Sequence, residues 1–290
     1  MRIVYCGSSG PLSLLPLQAL LSAGHSIVAV MVDMPWISSP HRIDVPVLIE
    51  NDDSVAALAA LHQVPVLAWS QSPETNRNAV GEFEPDVLLV SCFAKRLPEA
   101  LLSLPRIGCF NLHPSWLPAY RGPAPVFWQF RDGLTALGIT LHRMTSRLDA
   151  GPVLAQKQVV MPDGISERDA NLLLAQAAGD LLVPALQQLA QGLVREAVQD
   201  EGQATYRGFP SATDFHVSAC WSARRLYNFV RATCDRGIPC TCEVEGRVYQ
   251  IAQALTYQPS GTAGLQPDGE ELVLPCNPGV VRLRLWTETG

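Results

Sequence analysis

Several features that would assign this 290-residue sequence to a familiar class are missing from it, and each gap excludes something. Charge is scarce: Asp, Glu, Lys and Arg make up 17% of the chain and sum to -6. A protein that grips nucleic acid through many phosphates carries a basic balance, at least locally, so the total weighs against that partner. No apolar run reaches the ~18 residues that a membrane-crossing helix needs, and none is expected. Met1 leads directly into Arg2–Cys6, which reads as a strand; without a charged segment and a leader-like apolar run, the chain is expected in the cytoplasm. There the eight cysteines are thiols rather than a disulfide framework. Cys240 and Cys242, with Cys234 before and Cys276 after, lack the C-x2-C spacing and the flanking His of a zinc knuckle. They read as small buried hydrophobes. Gly7 and Gly10 supply only part of a dinucleotide fingerprint, so Asp33 after the second strand does not establish an NAD site. Repeats and low-complexity tracts are absent as well.

What is present is a globular composition, 48% hydrophobic, with enough length for a sizeable core. Strand-like and helix-like segments alternate over the first two thirds. Arg2–Cys6 turns through Gly7–Pro11 into a helix near Leu14–Ala23, and Ser26–Val32 gives the next strand. That opening is the start of a doubly wound sheet. Asp86–Ser91, with Val-Leu-Leu-Val at its centre, has the continuous apolar character of a buried parallel strand. Gly108–His113 and Gly138–Met144 are further strands, and Ala170–Ala190 has helical periodicity. Beyond Gln191–Gly208, short strands separated by Gly and Pro turns suggest a small β-barrel. The expected fold is therefore α/β, Rossmann-like with a mostly parallel sheet over 1–190, a linker over 191–208, and an OB-like domain over 209–290.

The chemistry concentrates in Asn111-Leu-His113-Pro-Ser115-Trp-Leu-Pro118-Ala-Tyr120-Arg121-Gly122. Asn111 and His113 stand two apart on a strand and share a face, at the strand end where open α/β sheets bind ligands. A loop punctuated by Pro and Gly follows, and Arg147-Leu-Asp149-Ala-Gly151 forms another turn after the next strand. If those two strands are neighbours, Asp149 can reach His113. Acyl transfer to an amine develops an oxyanion, which an amide N–H of Asn111 or a protonated His113 can stabilise. The attacking ammonium must also lose protons near neutral pH, a task for His113 with Asp149 beside it, or for Asp149 through a water. The residue types leave that choice open. Taken singly, Asn, His and Asp in turns are more often structural, and only their ordered grouping carries the reading.

Asn-x-His-Pro-Ser-x-Leu-Pro-x-Tyr-Arg-Gly over 111–122, then Leu141-His-Arg-Met144 and Leu148-Asp149-Ala-Gly151, resembles the folate-dependent formyltransferases. The family's catalytic Asn, His and Asp fall on Asn111, His113 and Asp149. The resemblance implies 10-formyltetrahydrofolate as donor and co-substrate. It places the pterin in a pocket of Phe93, Ala94, Lys95, Arg96 and Leu97 with the turn carrying Thr145 and Leu148. Ser8, Ser115, Tyr120, Arg121 and Gly122 are the expected acceptor-side residues.

Ala204-Thr-Tyr206, Asp214-Phe-His-Val and Leu226-Tyr-Asn-Phe-Val-Arg231 resemble the second domain of the methionyl-tRNA and aminosugar branches. Within Met34–Asp53, Arg42 faces Asp44, Glu50, Asp52 and Asp53, a poor phosphate-binding composition. The expectation is therefore a small amine acceptor, an aminosugar nucleotide or an amino-acid-derived metabolite. Methionyl-tRNA is the disfavoured alternative. A formyltetrahydrofolate hydrolase is another, although the family's deformylases carry a regulatory domain for which Met1 leaves no room.

Overall fold

Every residue of Val87–Ser91 is buried, and so is the interior of the neighbouring strands; a continuous apolar run of this kind needs cover on both faces. The computed structural model describes residues 1–33 and 54–287. The acidic segment singled out above, 34–53, lies outside the described residues. Two compact units are resolved, and the chain passes repeatedly between them. The first comprises Met1–Arg121, Gly138–Val159 and Asn171–Thr205; the second comprises Gly122–Leu137, Val160–Ala170 and Tyr206–Gly290.

In chain order the first stretch runs β1 (Arg2–Gly7), α1 (Pro11–Ser22), β2 (Ser26–Val32), α2 (Val55–Leu61), β3 (Val66–Ala68), α3 (Pro73–Gly81) and β4 (Val87–Ser91). It continues through α4 (Glu99–Leu102), β5 (Gly108–His113), α5 (Pro125–Arg131), β6 (Ala136–Arg143), β7 (Val153–Val160) and α6 (Glu167–Ala190). The seven strands form one sheet in the order β3-β2-β1-β4-β5-β6-β7. Pairing is parallel from β3 through β5 and antiparallel between β5 and β6. The sheet is thus mostly parallel and Rossmann-like, as expected. Ser54 and Ser72 cap α2 and α3 through side-chain oxygens. Pro11 opens α1, where its missing N–H costs little.

The switch to antiparallel pairing at β6 decides the site. The register sets Asn111 opposite His142 and His113 opposite Thr140. Gly138 lets β6 pass close to the next loop, because a Cβ there would run into the backbone of Trp116. Residues 171–190 of α6 bury Leu174, Ala175, Ala178, Leu182 and Leu186. Glu167–Ala190 is long and apolar enough to cross a membrane by length and composition alone, yet 56% of its most apolar window is buried inside the protein. Burial of that kind is what a core helix shows.

Residues 191–205 sit in the first unit, where Ala197 bridges Val153 and Gln199 bonds the backbone of Asp149 and Gly151. In the second unit a six-stranded mixed sheet follows the order β11-β12-β13-β10-β9-β8. Its strands are β8 (His216–Val217), β9 (Cys240–Val244), β10 (Arg247–Gln258), β11 (Gln266–Asp268), β12 (Glu271–Pro275) and β13 (Val280–Leu285). The helix α7 (Ala223–Thr233) buries Leu226, Phe229 and Val230, and Phe127 of α5 packs edge-on against Phe229 with ring centroids 5.5 Å apart. Cys240 and Cys242 are buried, the Cys240 thiol is pushed up to about 11 by burial, and no metal-holding cluster of His, Cys, Asp and Glu occurs among the described residues.

Candidate active site

Asn111 and His113 leave β5 on the same face, and β6 brings His142 across from Asn111. The turn after β6 returns Asp149 to the pair. His113 Nδ1 lies 3.7 Å from one Asp149 carboxylate oxygen, and His142 Nε2 lies 3.7 Å from the other. The three side chains are nearly sealed, with His113 at 4%, His142 at 1% and Asp149 at 7% exposure. Three of the residues singled out in the sequence therefore converge, with a second histidine that sequence reasoning had passed over as part of a motif.

The hydrogen bonds fix how the rings are protonated. His113 Nε2 faces the carbonyl of Tyr120 at 2.8 Å, and a carbonyl only accepts, so Nε2 carries the hydrogen. In neutral His113 the lone pair is then on Nδ1, toward Asp149. His142 Nδ1 donates to the carbonyl of Arg143 at 2.9 Å, which leaves its Nε2 to accept from the Asn111 amide at 3.2 Å. Burial and the neighbouring His113 hold His142 down to about 4, so it is neutral at physiological pH. A charged His142 would lose its bond from Asn111.

Two of the supporting residues adopt backbone conformations that L-residues avoid: φ is 60° at Tyr120 and 51° at Asp149. Each is held by its surroundings. Tyr120 N–H donates to Thr205 Oγ1 at 2.8 Å, and Arg121 N–H donates to the Thr205 carbonyl at 2.9 Å. The Asp149 and Gly151 carbonyls both accept from Gln199 Nε2, at 2.8 and 2.7 Å. The loop between Ser115 and Pro118 is pinned from β6 and β7: Thr140 Oγ1 donates to the Ser115 carbonyl, and Gln156 Nε2 donates to the Leu117 carbonyl at 2.8 Å.

The remaining expected residues divide into groups. Ser115 is fully buried and donates to the Ala119 carbonyl, and Ser8 donates to the Cys92 carbonyl. Arg121 is 6% exposed, and its guanidinium is taken up by Gln199 Oε1 and the Glu201 carboxylate. Gly122 falls in the second unit with φ at 119°, a conformation suited to glycine. The two segments expected to hold a pterin do meet: Arg96 Nη2 donates to the Ser146 carbonyl at 2.7 Å, and Thr145 Oγ1 donates to the Arg147 carbonyl. Lys95 pairs with Asp33 at 3.0 Å, Phe93 packs edge-on against Trp69, and Leu97 is buried beneath them with Cys109. Ala94 is exposed between these anchors, and Leu148 is 48% exposed. Gln199 and Glu201 were missed, since both lie in a stretch read as linker.

Residues 1–186 match the family described as Formyl transferase. The methionyl-tRNA formyltransferase of Acidobacterium capsulatum is 36% identical over 236 residues, covering 79% of this chain and 72% of its own length. An N-formyltransferase from Helicobacter canadensis, solved with folinic acid and dTDP-3-aminofucose, superposes with a TM-score of 0.70 at 13% identity. That match covers 99% of this chain and 100% of the other. HypX from Aquifex aeolicus gives a TM-score of 0.61 at 17% identity; the match covers 98% of this chain but only 43% of HypX. The chain belongs to the formyl transferase family. It is an N-formyltransferase, and its formyl donor is 10-formyltetrahydrofolate.

Proposed function

We propose that this enzyme formylates the primary amine of a small acceptor, such as an aminosugar nucleotide or an amino-acid-derived metabolite, using Asn111, His113 and Asp149. The observation that carries the chemistry is the convergence of His113 Nδ1 and the Asp149 carboxylate at 3.7 Å beside the Asn111 amide. The folate supplies the activated formyl group. Asn111 has one amide hydrogen committed to His142 and a second left to meet the oxyanion. His113, with Nε2–H held by Tyr120, takes a proton from the acceptor ammonium at Nδ1. Asp149 then stabilises the imidazolium. Neutral His142 adds no positive charge to compete for Asp149.

The folate site of this reading is the 93–97 loop with Thr145 and Leu148. Phe93 and Met144 are partly buried against the core under that loop, which suits one face of a flat heteroaromatic ring. Ser8, Ser115, Tyr120, Arg121 and Gly122 frame the acceptor side, with Ser115 and Arg121 shaping the loop from beneath. Residues 1–190 carry the reaction under this proposal, and 209–290 form an OB-like domain.

The choice of acceptor rests on charge. Segment 34–53 has Arg42 against four carboxylates. The arginines of the second unit are largely committed within it. Arg224 pairs with Asp163, Arg236 with Glu167 and Arg282 with Glu271, while Arg131 and Arg225 donate to backbone carbonyls. A tRNA acceptor stem needs free cations to displace its counterions. The second reading, methionyl-tRNA, is favoured by the 36% identity to the Acidobacterium capsulatum enzyme.

A donor-release assay decides between them. The protein is incubated with 10-formyltetrahydrofolate and, separately, aminosugar nucleotides, small amines, methionyl-tRNA or no acceptor. Release driven by a small amine is the expected result. Release driven only by methionyl-tRNA overturns the acceptor proposal, and release without any acceptor replaces transfer by hydrolysis.

A further inference from the structure

We infer that Gln199 is a positioning residue for Asp149, acting through the backbone of the turn that carries it. This rests on the proposed role of Asp149. Gln199 is 7% exposed, and its side-chain amide is used at both ends. Nε2 donates to the carbonyls of Asp149 and Gly151, at 2.8 and 2.7 Å. Oε1 accepts from Arg121 Nε at 3.2 Å and from Nη2 at 2.8 Å. One planar group thus joins the turn after β6 to the loop after β5, the two segments whose separation sets the distance between Asp149 and His113.

The chemistry of the site demands an amide. A carboxylate at this position would set oxygens against two carbonyls, and an ammonium would offer nothing to the guanidinium. A buried carbonyl that loses a donor is destabilised, so loss of the amide disturbs the turn at Asp149 and Gly151. Asp149 has φ of 51°, a conformation that L-residues hold only where the surroundings support it. Glu201 completes the brace from outside. It accepts from Arg121 and from Arg147 at 2.8 Å, and these two guanidinium groups, Arg121 foremost, hold its carboxyl down to about 2.

The reach of the brace explains why Arg121 sits where it does. The guanidinium is turned into the protein, and Arg121 N–H is held by the Thr205 carbonyl, six residues beyond Gln199 on the same strap. The strap therefore grips the loop after β5 at Tyr120 and Arg121 and the turn after β6 at Asp149 and Gly151. Its role is to fix the distance between two groups, which is a different matter from touching substrate.

Gln199→Glu keeps the size of the side chain and an oxygen toward Arg121, and removes both N–H donors. In the full-length enzyme kcat is expected to fall at least about tenfold, as when a catalytic group is misplaced by a fraction of an ångström. KM for donor and acceptor should stay within about threefold. Adding Asp149→Asn to this variant should cost nothing beyond Asp149→Asn alone, because both act through one group. A purely structural role would leave the two losses additive. In parallel, the ring 1H–15N NMR signals of His113 and His142, assigned by replacing each histidine, should move in Gln199→Glu. That arm needs no turnover, so it stands or falls apart from the acceptor assignment. If Gln199→Glu does not fold, Gln199→Met, which fills the same space without donors, takes its place. Unchanged kcat, a loss confined to KM, full additivity or unmoved ring signals would each overturn the proposal.

Discussion

In the first unit β4 buries all five of its residues, whereas in the second β13 alternates, with Val281 and Leu283 inside and Arg282 and Arg284 outside. The two sheets consequently treat polar side chains in opposite ways. On β13 an arginine meets water, and a surface pair such as Arg282 with Glu271 is one that solvent could replace. On β5 and β6, His113, Thr140 and His142 are enclosed, and each buried polar atom must be matched or else costs free energy. The matching is what generates the site: the same bonds that satisfy His113, His142 and Asn111 also fix their tautomers and their spacing. A polar residue within a doubly covered sheet is therefore informative in a way that one on a half-exposed sheet is not.

The sharpest way to break that comparison is to remove one histidine from each unit. His113→Ala should lower donor-dependent transfer by about 10²–10⁴, the usual worth of a general acid–base group. His216→Ala, on the exposed face of β8 in the second unit, should leave the rate unchanged. Steady-state rates with circular dichroism on both variants check this. A His113→Ala enzyme that is folded and fully active removes His113 from the reaction.

Which parts of this were legible beforehand follows from the same physics. Val-Leu-Leu-Val in β4 announces a doubly covered strand, and Asn111 and His113 announce themselves by standing two apart at a strand end before a Pro- and Gly-rich loop. His142 was visible as a letter within Leu141-His-Arg-Met144, but its importance depends on register across an antiparallel pair, which is long-range information. The reversal at β6 was equally silent, since an apolar strand reads alike in either direction. β8 and β11, at two and three residues, are too short for any period to show. Gln199 hid for the opposite reason. In Val198-Gln-Asp-Glu201 it has the composition of a solvated connector, and only the folded chain reveals that its amide is buried against Asp149.

A second contrast concerns glycine. A Cβ on Gly151 would run into the Arg143 carbonyl, in backbone that the site cannot surrender, whereas Gly246 has φ of 73° with open space around it. Gly151→Ala should therefore lose about 3 kcal/mol of stability through overpacking. Gly246→Ala should lose only about 1 kcal/mol, the price of a left-handed alanine. Urea unfolding of both proteins measures the difference. Equal losses would mean that the turn after β6 yields as easily as an exposed hairpin, and that its geometry is not what holds Asp149.

The smallest expected effect sharpens the comparison most, because it isolates the enclosure of a single ring. His142 titrates near 6.5 when exposed and is held to about 4 in the fold, chiefly by burial, then by His113, with Asp149 acting in the opposite sense. The unfolded chain therefore binds a proton on this ring at a higher pH than the native protein does. Stability that His142 contributes is complete above about pH 6.5 and is lost as pH falls from there toward about 4. Between pH 6.5 and 5 the loss should amount to about 1–2 kcal/mol. His142→Gln keeps an oxygen to accept from Asn111 and cannot titrate, so its melting temperature should fall less over this interval than that of the parent protein. Parallel lines for the two proteins would show that the ring is not shielded from its proton. The neutral tautomer on which the Asn111 bond depends would then lose its physical basis.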